Sequence, residues 1–335
     1  MSSTTNPKLN NPGQILGTSS GYWRSFALQT AVKLDLFTVI GEQSLSGEDI
    51  AKRINGDAHG VTTLLNAVAA LGLVKKDDDK FSNTEAAGTF LVSTSKQYIG
   101  HLIRHHANLA DAWTRLEESV RTGKPVRKTS SGSTGATQED FCRGMHTQAM
   151  GIAPRTAKEI DLTGRKRLLD LGGGPGTWAI HFVLANPGLA ATVFDLDGTR
   201  PFAEQTISQF DVSDRVDFQG GDYTIDQLPS GFDVAWLSHI LHAESPDTCR
   251  SIVRKTVDAL NEDGLVLIHE FILDSSGTTP LFPALFSLNM LITAPGGRSY
   301  TKEELESMLT EAGVLDLHIL DFVGPTESRI LVGKV

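Results

Sequence analysis

Short apolar runs alternate with helical patterns through the second half of the chain, and this alternation constrains the fold more than any other feature. The runs lie at 168–171, 192–194, 216–218, 234–237 and 265–268. Strands that alternate with helices form a parallel sheet covered by helices. Ligands of such sheets bind at the carboxyl ends of the strands. The sequence therefore predicts an α/β domain with a site at that edge of the sheet.

A glycine-rich turn follows the first apolar run, with the sequence DLGGGPGT at 170–177. Such a turn lets a ligand approach the backbone, and the helix N-terminus behind it favours an anion. A dinucleotide fingerprint that begins at Gly172 would need glycine or alanine at position 177, where Thr177 stands. Asp170 suits a ligand with a cationic amine better than a pyrophosphate. A nicotinamide-dependent dehydrogenase is therefore disfavoured.

Acidic residues also follow the next two strands. Asp195 ends the second strand, 23 residues after Gly172, and is placed to accept hydrogen bonds from both hydroxyls of a ribose. After the third strand, Asp222 is placed to accept from an adenine amino group, and Tyr223 to lie on the ring. Acids at three successive strand ends favour a nucleoside ligand over three unrelated surface carboxylates.

The first part of the chain has the pattern of a small helical domain. Apolar residues recur at helical spacing from Trp23 to Leu34, and Ser46 with Asp49 predicts the N-cap of a second helix. A third helix is expected over 57–72, and a hairpin over 73–81. This order is that of a winged helix. Further helices are expected over 96–122, and their apolar surface favours a dimer.

The charge distribution argues against nucleic acid as a partner. Residues 1–160 carry a net charge of +3 and residues 161–335 a net charge of −13. The expected third helix has neither Lys nor Arg, although recognition helices depend on them. Four basic residues of the first half lie in one stretch, 121–135, which we interpret as a solvated loop, or alternatively as a lid or anion contact. A ligand-responsive transcription regulator remains as a weaker alternative.

Other classes are excluded by composition. The polar start, residues 1–17, lacks the apolar core of a secretory signal. The uncharged stretch 275–297 contains prolines and many hydroxyl side chains, which make a poor membrane span. Cys142 and Cys249 are the only cysteines, too few for a disulfide scaffold or a cysteine-based zinc site. The sequence therefore predicts a cytoplasmic protein.

These features together resemble the two-domain O-methyltransferases related to plant caffeate, hydroxyindole and bacterial polyketide or phenazine enzymes. The matching motifs are LLDLGGGPG at 168–176, FDL at 194–196, GGD at 220–222, HILH at 239–242, HE at 269–270, PGGR at 295–298 and FCRGM at 141–145. The resemblance implies a class I (Rossmann-like) α/β methyltransferase domain at 109–335, preceded by a mainly α-helical winged-helix dimerisation domain at 1–108. It implies a homodimer in which the partner partly closes each active site.

The resemblance also implies S-adenosyl-L-methionine as cofactor, with S-adenosyl-L-homocysteine as product. The residues expected to bind it are Asp170, Gly172, Gly174, Gly176, Asp195, Leu196, Gly221, Asp222, Tyr223 and Ser238.

Two residues are expected to carry the catalysis. His242 follows the fourth strand at the position of the family's catalytic histidine, and a histidine suits a general base near neutral pH. Glu270 ends the fifth strand, where it is placed to orient the imidazole and stabilise its charged form. His239 and His242 share a helical spacing that a metal site can use, but a third ligand besides Glu270 is missing, so no metal is expected.

The chain departs from the family pattern near these residues. Ala243 and Glu244 replace the usual Asp-Trp, Ser238 replaces a lysine of many plant members, and Ser299 stands where plant members have a second acid. An acidic nucleophile or an activated ring carbon needs less help from a base. C-methylation of a tetrapyrrole-like or quinol-like substrate therefore remains an alternative to O-methylation of a small hydroxylated aromatic molecule.

Substrate residues are expected on the two helices that wall the pocket in relatives. They are Phe141, Met145, Phe286, Asn289, Met290 and Thr293. Pockets for flat aromatic ligands are mostly apolar with a few polar groups, and methionine adapts to planar rings. Ordinary core packing is the competing interpretation, except for Asn289, whose amide needs a polar partner in an apolar helix.

Overall fold

The structure, a computed structural model, describes residues 9–127 and 135–335. The described residues form two compact units: an N-terminal unit of residues 9–110 and 135–147, and a C-terminal unit of residues 111–127 and 148–335. The boundary expected at 108/109 differs from this division, because the segment that starts at residue 135 belongs with the N-terminal unit. Part of the basic stretch 121–135, from residue 128 to residue 134, lies outside the described residues.

Helices make up most of the first part of the chain. In chain order the elements are α1 (Pro12–Ser19), α2 (Tyr22–Lys33), α3 (Leu36–Ile40), β1 (Leu45–Ser46), α4 (Gly47–Arg53), α5 (Ala58–Ala70), β2 (Val74–Asp77), β3 (Lys80–Asn83), α6 (Glu85–Phe90), α7 (Gly100–Thr114), α8 (Leu116–Thr122) and α9 (Ala136–Met150). The small sheet has the order β1-β3-β2, and both pairs are antiparallel.

Side-chain caps start the helices that the sequence marks. The Ser46 hydroxyl accepts a hydrogen bond from the Asp49 N–H at 3.1 Å, and the Asp57 carboxylate accepts one from Gly60 at 2.8 Å. Each cap satisfies an amide that has no partner within the helix. Leu65 of α5 and Phe81 of β3 lie in the same fully buried core. The expected succession of helices and hairpin is therefore present.

The apolar face of α2 is uncovered at its N-terminal end. Trp23 is 65% exposed and Phe26 is 46% exposed, whereas Ala31 near the other end is buried. Leu16 of α1 adds to the exposed apolar surface of the N-terminal unit. Exposed apolar side chains of this kind are typical of a protein interaction site where they lie side by side.

The C-terminal unit is built on a large sheet with helices. Its further elements are β4 (Arg167–Leu171), β5 (Ala190–Asp195), β6 (Val216–Gly220), β7 (Phe232–Ser238), β8 (Leu260–Glu270), β9 (Leu315–Ile319) and β10 (Arg329–Lys334), with α10 (Ala153–Glu159), α11 (Thr177–Ala185), α12 (Arg200–Gln209), α13 (Pro246–Asp258), α14 (Leu281–Thr293) and α15 (Lys302–Glu311). Within the described residues the strand order is β6-β5-β4-β7-β8-β10-β9. β4 to β8 are parallel, and β10 runs antiparallel to both of its neighbours.

The central strands are buried on both faces. Leu168 and Trp236 point into one core cluster, and Leu169 and Leu237 into the other. All four are fully buried, which is why the strands read as continuous apolar runs rather than as alternating ones. Full burial of a leucine side chain contributes about 2 kcal/mol. The predicted parallel α/β sheet is thus confirmed, and β9 and β10 extend it beyond the five expected strands.

The strand order reverses beside β4, which puts a crevice at the carboxyl ends of the parallel strands. Asp170 lies near the end of β4, while Asp195, Ser238 and Glu270 are the last residues of β5, β7 and β8. None of the helices in the described part of the chain combines the length and apolar character of a membrane span.

Candidate active site

The turn between β4 and α11 depends on its glycines. Gly172, Gly174 and Gly176 all have positive φ, at 65°, 52° and 74°. A Cβ at Gly172 would lie 2.5 Å from the Ile240 side chain, so the turn needs both the left-handed backbone and the absence of a side chain there. The Gly174 N–H donates to Asp195 Oδ2 at 2.7 Å, which ties the turn to the end of β5.

Asp170 is a buried carboxylate with one oxygen unused. Oδ2 accepts a hydrogen bond from the Ala179 N–H of α11 at 3.1 Å, whereas Oδ1 has no partner among the described residues. Burial raises the pKa of Asp170 to about 7. A buried acceptor without a donor costs free energy, and a cationic amino group would satisfy it. This observation fits the amine expected of S-adenosylmethionine.

Asp195 is placed to hold a diol. Its two oxygens each accept a single backbone N–H, Oδ2 from Gly174 at 2.7 Å and Oδ1 from Leu196 at 2.6 Å. A carboxylate oxygen has two lone pairs, so the carboxylate keeps capacity for further donors, and the Thr199 hydroxyl also lies within its reach. Burial raises the pKa of Asp195. The arrangement fits the two ribose hydroxyls expected here.

At the end of β6, one of the two Asp222 oxygens that we expect a ligand to use is already hydrogen-bonded within the protein. Asp222 Oδ1 accepts from the backbone N–H and the hydroxyl of Thr224, at 2.8 and 2.6 Å, so Oδ2 remains as the acceptor for a ligand. A Cβ at Gly221 would lie 2.3 Å from the Phe194 ring, which explains the glycine. Tyr223 lies beside the glycine turn, where a Cβ on Gly172 would approach its ring to 3.3 Å, and burial raises the pKa of its hydroxyl.

The expected base and its orienting acid meet. His242 lies in a single 3-10 turn, Leu241–Ala243, that follows β7, and its Nδ1 is 2.8 Å from Glu270 Oε2. The same carboxylate accepts from the His242 N–H at 3.2 Å and from the Phe271 N–H at 3.1 Å. Because an ionised carboxylate only accepts, Nδ1 is the donor in this contact, and in a neutral imidazole the lone pair is then on Nε2.

The electrostatics agree with this pairing. Burial opposes ionisation of Glu270, but the charge and the hydrogen bond of His242 hold its pKa well below the usual range. Both side chains are buried, and the Glu270 side chain is only 4% exposed. A fixed negative charge beside Nδ1 stabilises the imidazolium that forms when Nε2 takes a proton.

Ser238 and Ser299, which differ from the family pattern, are both hydrogen-bonded within the protein. The Ser238 hydroxyl contacts Nδ1 of His269 at 2.9 Å, and Nε2 of that buried histidine contacts Ser328 at 2.9 Å. Ser299 donates its hydroxyl to the Pro283 carbonyl at 2.8 Å, so it is occupied by the backbone of α14. Ser299 therefore does not act as a third member of the dyad.

The sequence indicates His239 only as a possible metal ligand, and the structure shows what surrounds it. It has a positive φ of 58°, and its ring packs 4.2 Å from that of Phe271. Its Nδ1 lies 3.7 Å from Glu270 Oε2, too far for a hydrogen bond, and burial lowers its pKa.

Ligand atoms of His239, His242 and Glu270 lie within 4.8 Å of one another, which makes them the group of described residues that could hold a metal ion. An ion there would replace the proton shared by His242 and Glu270. The hydrogen bond between His242 and Glu270 already explains why these two side chains lie close together, so their geometry does not by itself indicate a metal.

An aromatic cluster lies beside the base. Phe286 of α14 is 4.8 Å from the His242 ring and 4.6 Å from Phe271, and Phe282 is 4.9 Å from Phe271. The sequence predicts Phe286 here but not Phe271 or Phe282, although Phe271 directly follows Glu270. Flat apolar walls of this kind suit an aromatic ligand.

The other expected substrate residues lie on α14 and on α9. Asn289 accepts a hydrogen bond from the Trp113 indole at 3.1 Å, Met290 is buried, and Thr293 donates to the Asn289 carbonyl at 2.6 Å. Phe141 and Met145 lie on α9 in the N-terminal unit, where Phe141 packs 5.3 Å from His105. Their role at the acceptor site stays a prediction.

Comparisons with known proteins show the family of the chain. Family models match at residues 113–315, as an O-methyltransferase domain, and at residues 16–93, as an O-methyltransferase dimerisation domain. A 3-hydroxy-5-methyl-1-naphthoate 3-O-methyltransferase of Streptomyces sahachiroi is 31% identical, over 99% of this chain and 97% of that protein. The tetracenomycin polyketide synthesis 8-O-methyltransferase TcmO of Streptomyces glaucescens is 32% identical, over 96% of this chain and 97% of that protein.

A solved structure has the same fold. PigF with S-adenosylhomocysteine superposes with a TM-score of 0.89 and 26% identity, covering 97% of this chain and 100% of that one. The fold and the site thus define an S-adenosylmethionine-dependent methyltransferase. The chain belongs to the O-methyltransferase family, with a dimerisation domain ahead of its catalytic domain.

Proposed function

We propose that the protein transfers the methyl group of S-adenosylmethionine to a hydroxyl of a small aromatic molecule, with His242 as general base. The observation that carries the proposal is the 2.8 Å contact between His242 Nδ1 and Glu270, which engages Nδ1 and makes Nε2 the nitrogen that is available to accept a proton. The Phe286 ring 4.8 Å away supplies an apolar wall against which an aromatic acceptor packs.

Each part of the site has a separate task. The bound cofactor supplies an electrophilic methyl group on a positively charged sulfur. Asp195 and Asp170 hold the ribose and the amine, while Phe271, Phe282 and Phe286 orient the acceptor ring. A phenol with a pKa near ~10 must lose its proton as the new bond forms. His242 Nε2 accepts that proton, and Glu270 stabilises the imidazolium.

The named relatives support an aromatic acceptor. One acts on a hydroxylated naphthoate and the other in tetracenomycin polyketide synthesis, and each aligns with almost the whole of this chain. Both are named as O-methyltransferases. A fused-ring hydroxyaryl molecule is therefore the acceptor that we infer.

C-methylation of an activated ring carbon is the second candidate function. It is favoured by Ser299, which stands where plant members of the family have a second acid. Its hydroxyl is committed to the Pro283 carbonyl, so the dyad has no second acid from this position. A substrate that is already acidic would need no such support. Transfer of a ¹³C-labelled methyl group and NMR of the product separate a methoxy carbon from a ring methyl carbon.

We further propose a cytoplasmic homodimer that associates through its N-terminal unit, with that unit folded as a winged helix. Exposed apolar side chains on α1 and α2, including Trp23 and Phe26, support this association. The dimerisation-domain match at residues 16–93 supports it as well. The domain division at 108/109 remains part of this proposal.

The test of the general base compares His242→Ala with His242→Gln. Both variants should bind S-adenosylhomocysteine as the wild type does, since His242 is assigned no cofactor contact. Turnover of a hydroxynaphthalene acceptor should fall by about 10²–10⁴-fold, the range of general-base contributions. Full activity in either variant contradicts the assigned role.

A further inference from the structure

The segment 296–300 lies against the backbone of the turn that carries His242. The Arg298 N–H donates to the His242 carbonyl at 2.8 Å. The Tyr300 hydroxyl donates to the Glu244 carbonyl at 2.6 Å, although 56 residues separate the two in sequence. Two carbonyls of the turn are therefore held by one short part of the chain that is distant in sequence.

The turn needs partners of this kind. It is a single 3-10 turn, in which the Glu244 N–H donates to the Leu241 carbonyl at 3.0 Å. Hydrogen bonds of a 3-10 turn have poorer geometry than those of an α-helix, so one such turn holds its shape weakly. Glu270 accepts from the ring and the N–H of His242, and Arg298 donates to its carbonyl. The base is thus fixed on both sides by groups outside its own turn.

The close approach of the segment depends on two glycines. A Cβ on Gly297 would lie 2.8 Å from the His242 carbonyl oxygen and 3.2 Å from the Ala243 carbonyl carbon. Gly296 has a positive φ of 77°, and a Cβ there would lie 2.9 Å from the Ser245 side chain. Only residues without side chains let the backbone of the segment come this near to the turn.

The segment itself is anchored to β8 and to α14. The Tyr300 carbonyl accepts from the N–H of Leu273, just beyond the end of β8, at 2.9 Å. The Ser299 N–H donates to the Ser287 hydroxyl at 3.0 Å, and its own hydroxyl donates to the Pro283 carbonyl at 2.8 Å. Tyr300 is only 2% exposed. Its hydroxyl therefore approaches the turn from a fixed frame.

We propose that Gly297 and Tyr300 are positioning residues for the base: they hold the backbone of His242 so that Nε2 meets the hydroxyl of the acceptor. This inference rests on the proposed function, since it names what places the base of that reaction. A small displacement of a catalytic group costs much of its contribution to the rate. The two residues should therefore matter for acceptors that must lose a proton, and matter little for acceptors that are already ionised.

The experiment compares two acceptors with the full-length protein and S-adenosylmethionine. They are 1-naphthol and 4-nitro-1-naphthol, which present their hydroxyl at the same ring position. The nitro group makes the second hydroxyl acidic enough to be ionised at neutral pH, so this acceptor has no proton for His242 to remove. Each variant is compared with the wild type on the same acceptor, which cancels the difference in intrinsic reactivity.

Tyr300→Phe removes one oxygen and should lower kcat for 1-naphthol by about tenfold, while kcat for 4-nitro-1-naphthol stays within about twofold of the wild type. Gly297→Ala pushes on the His242 carbonyl directly and should lower kcat for 1-naphthol by about 10²-fold, with the same difference between acceptors. The KM for S-adenosylmethionine should stay within about twofold in both variants, since neither residue is assigned a cofactor contact.

Two matched variants control for packing. Thr206→Val removes a buried hydroxyl on α12 that donates to the Phe202 carbonyl at 2.8 Å. Gly188→Ala adds a methyl group where the nearest atom would be the Lys166 Nζ at 3.5 Å. Both should turn over the two acceptors as the wild type does. His242→Ala is the reference and should show the same difference between acceptors with a larger loss.

The outcomes separate this inference from the proposed function. Equal losses on both acceptors in Tyr300→Phe would show a merely structural role and overturn the inference, as would wild-type turnover of 1-naphthol in that variant. Tyr300→Phe alone decides the matter if Gly297→Ala does not fold. Full turnover of 1-naphthol by His242→Ala would instead overturn the proposed function, and this inference with it.

Discussion

Nδ1 of His242 lies 2.8 Å from Oε2 of Glu270, and the same carboxylate also accepts the backbone N–H of His242. One acid therefore fixes both the ring and the backbone of the histidine. A histidine held at two points keeps one tautomer and one orientation, which is the requirement for repeated proton transfer.

Glu270→Gln tests the charge in this pair. A glutamine oxygen still accepts from Nδ1, but it does not stabilise the imidazolium, so kcat should fall by about 10²-fold or more. S-adenosylhomocysteine affinity should stay within about twofold, since Glu270 is assigned no cofactor contact. Steady-state kinetics and calorimetry measure the two effects. Unchanged kcat would show that the carboxylate charge has no role in turnover.

Asp195→Asn tests the ribose assignment. The amide keeps only one acceptor oxygen, and its nitrogen faces a backbone N–H, so S-adenosylhomocysteine affinity should fall by at least about tenfold. Asp217→Asn is the matched control, because Asp217 is an exposed acid on the neighbouring strand β6. Calorimetry should show a loss only in the first variant, and similar losses in both would point to a general charge effect.

The pKa of Asp170, which burial raises to about 7, predicts a pH-dependent affinity. Below this pH the free protein holds a proton on Asp170, and a cationic amine favours the ionised carboxylate, so binding must release that proton. S-adenosylhomocysteine affinity should rise as pH increases from about 5.5 to 7, by up to tenfold per pH unit, and then level off.

Asp170→Asn removes the titrating group and should flatten this profile. Calorimetry in two buffers of different ionisation enthalpy measures the released proton directly. A wild-type profile that is flat between about pH 5.5 and 7.5 would show that Asp170 does not meet the amine.

The dimer proposal is tested by removing apolar surface. Trp23→Ser combined with Phe26→Ser replaces two exposed side chains of α2 and should convert the wild-type dimer to a monomer in light scattering. Val323→Ser removes an exposed apolar residue from the C-terminal unit and should leave the dimer intact. A monomeric wild type would refute the proposed association.

Much of the catalytic unit is predictable because its signals are local. The runs at 168–171 and 234–237 become β4 and β7, and their apolar side chains are buried on both faces of the sheet. In the N-terminal unit, Ser46 marks the start of its helix through a bond that spans three residues. The approach of His242 to Glu270 was predictable because both residues follow neighbouring parallel strands.

Features that depend on distant contacts were not predictable in the same way. Trp113 meets Asn289 across 176 residues, and no pattern near either residue indicates the other. The membership of residues 135–147 in the N-terminal unit likewise depends on long-range packing. Asp222 shows a smaller difference, because a turn with Thr224 takes one of the oxygens that we expected a ligand to use.

The carboxylate of Glu270 also accepts the N–H of Phe271, whose ring forms part of the aromatic wall. Glu270 therefore fixes the positions of both His242 and Phe271. On an acceptor ring with two neighbouring hydroxyls, we expect the positions of His242 and Phe271 to decide which oxygen faces Nε2. A substitution at Glu270 is then expected to change the ratio of methylated isomers as well as the rate.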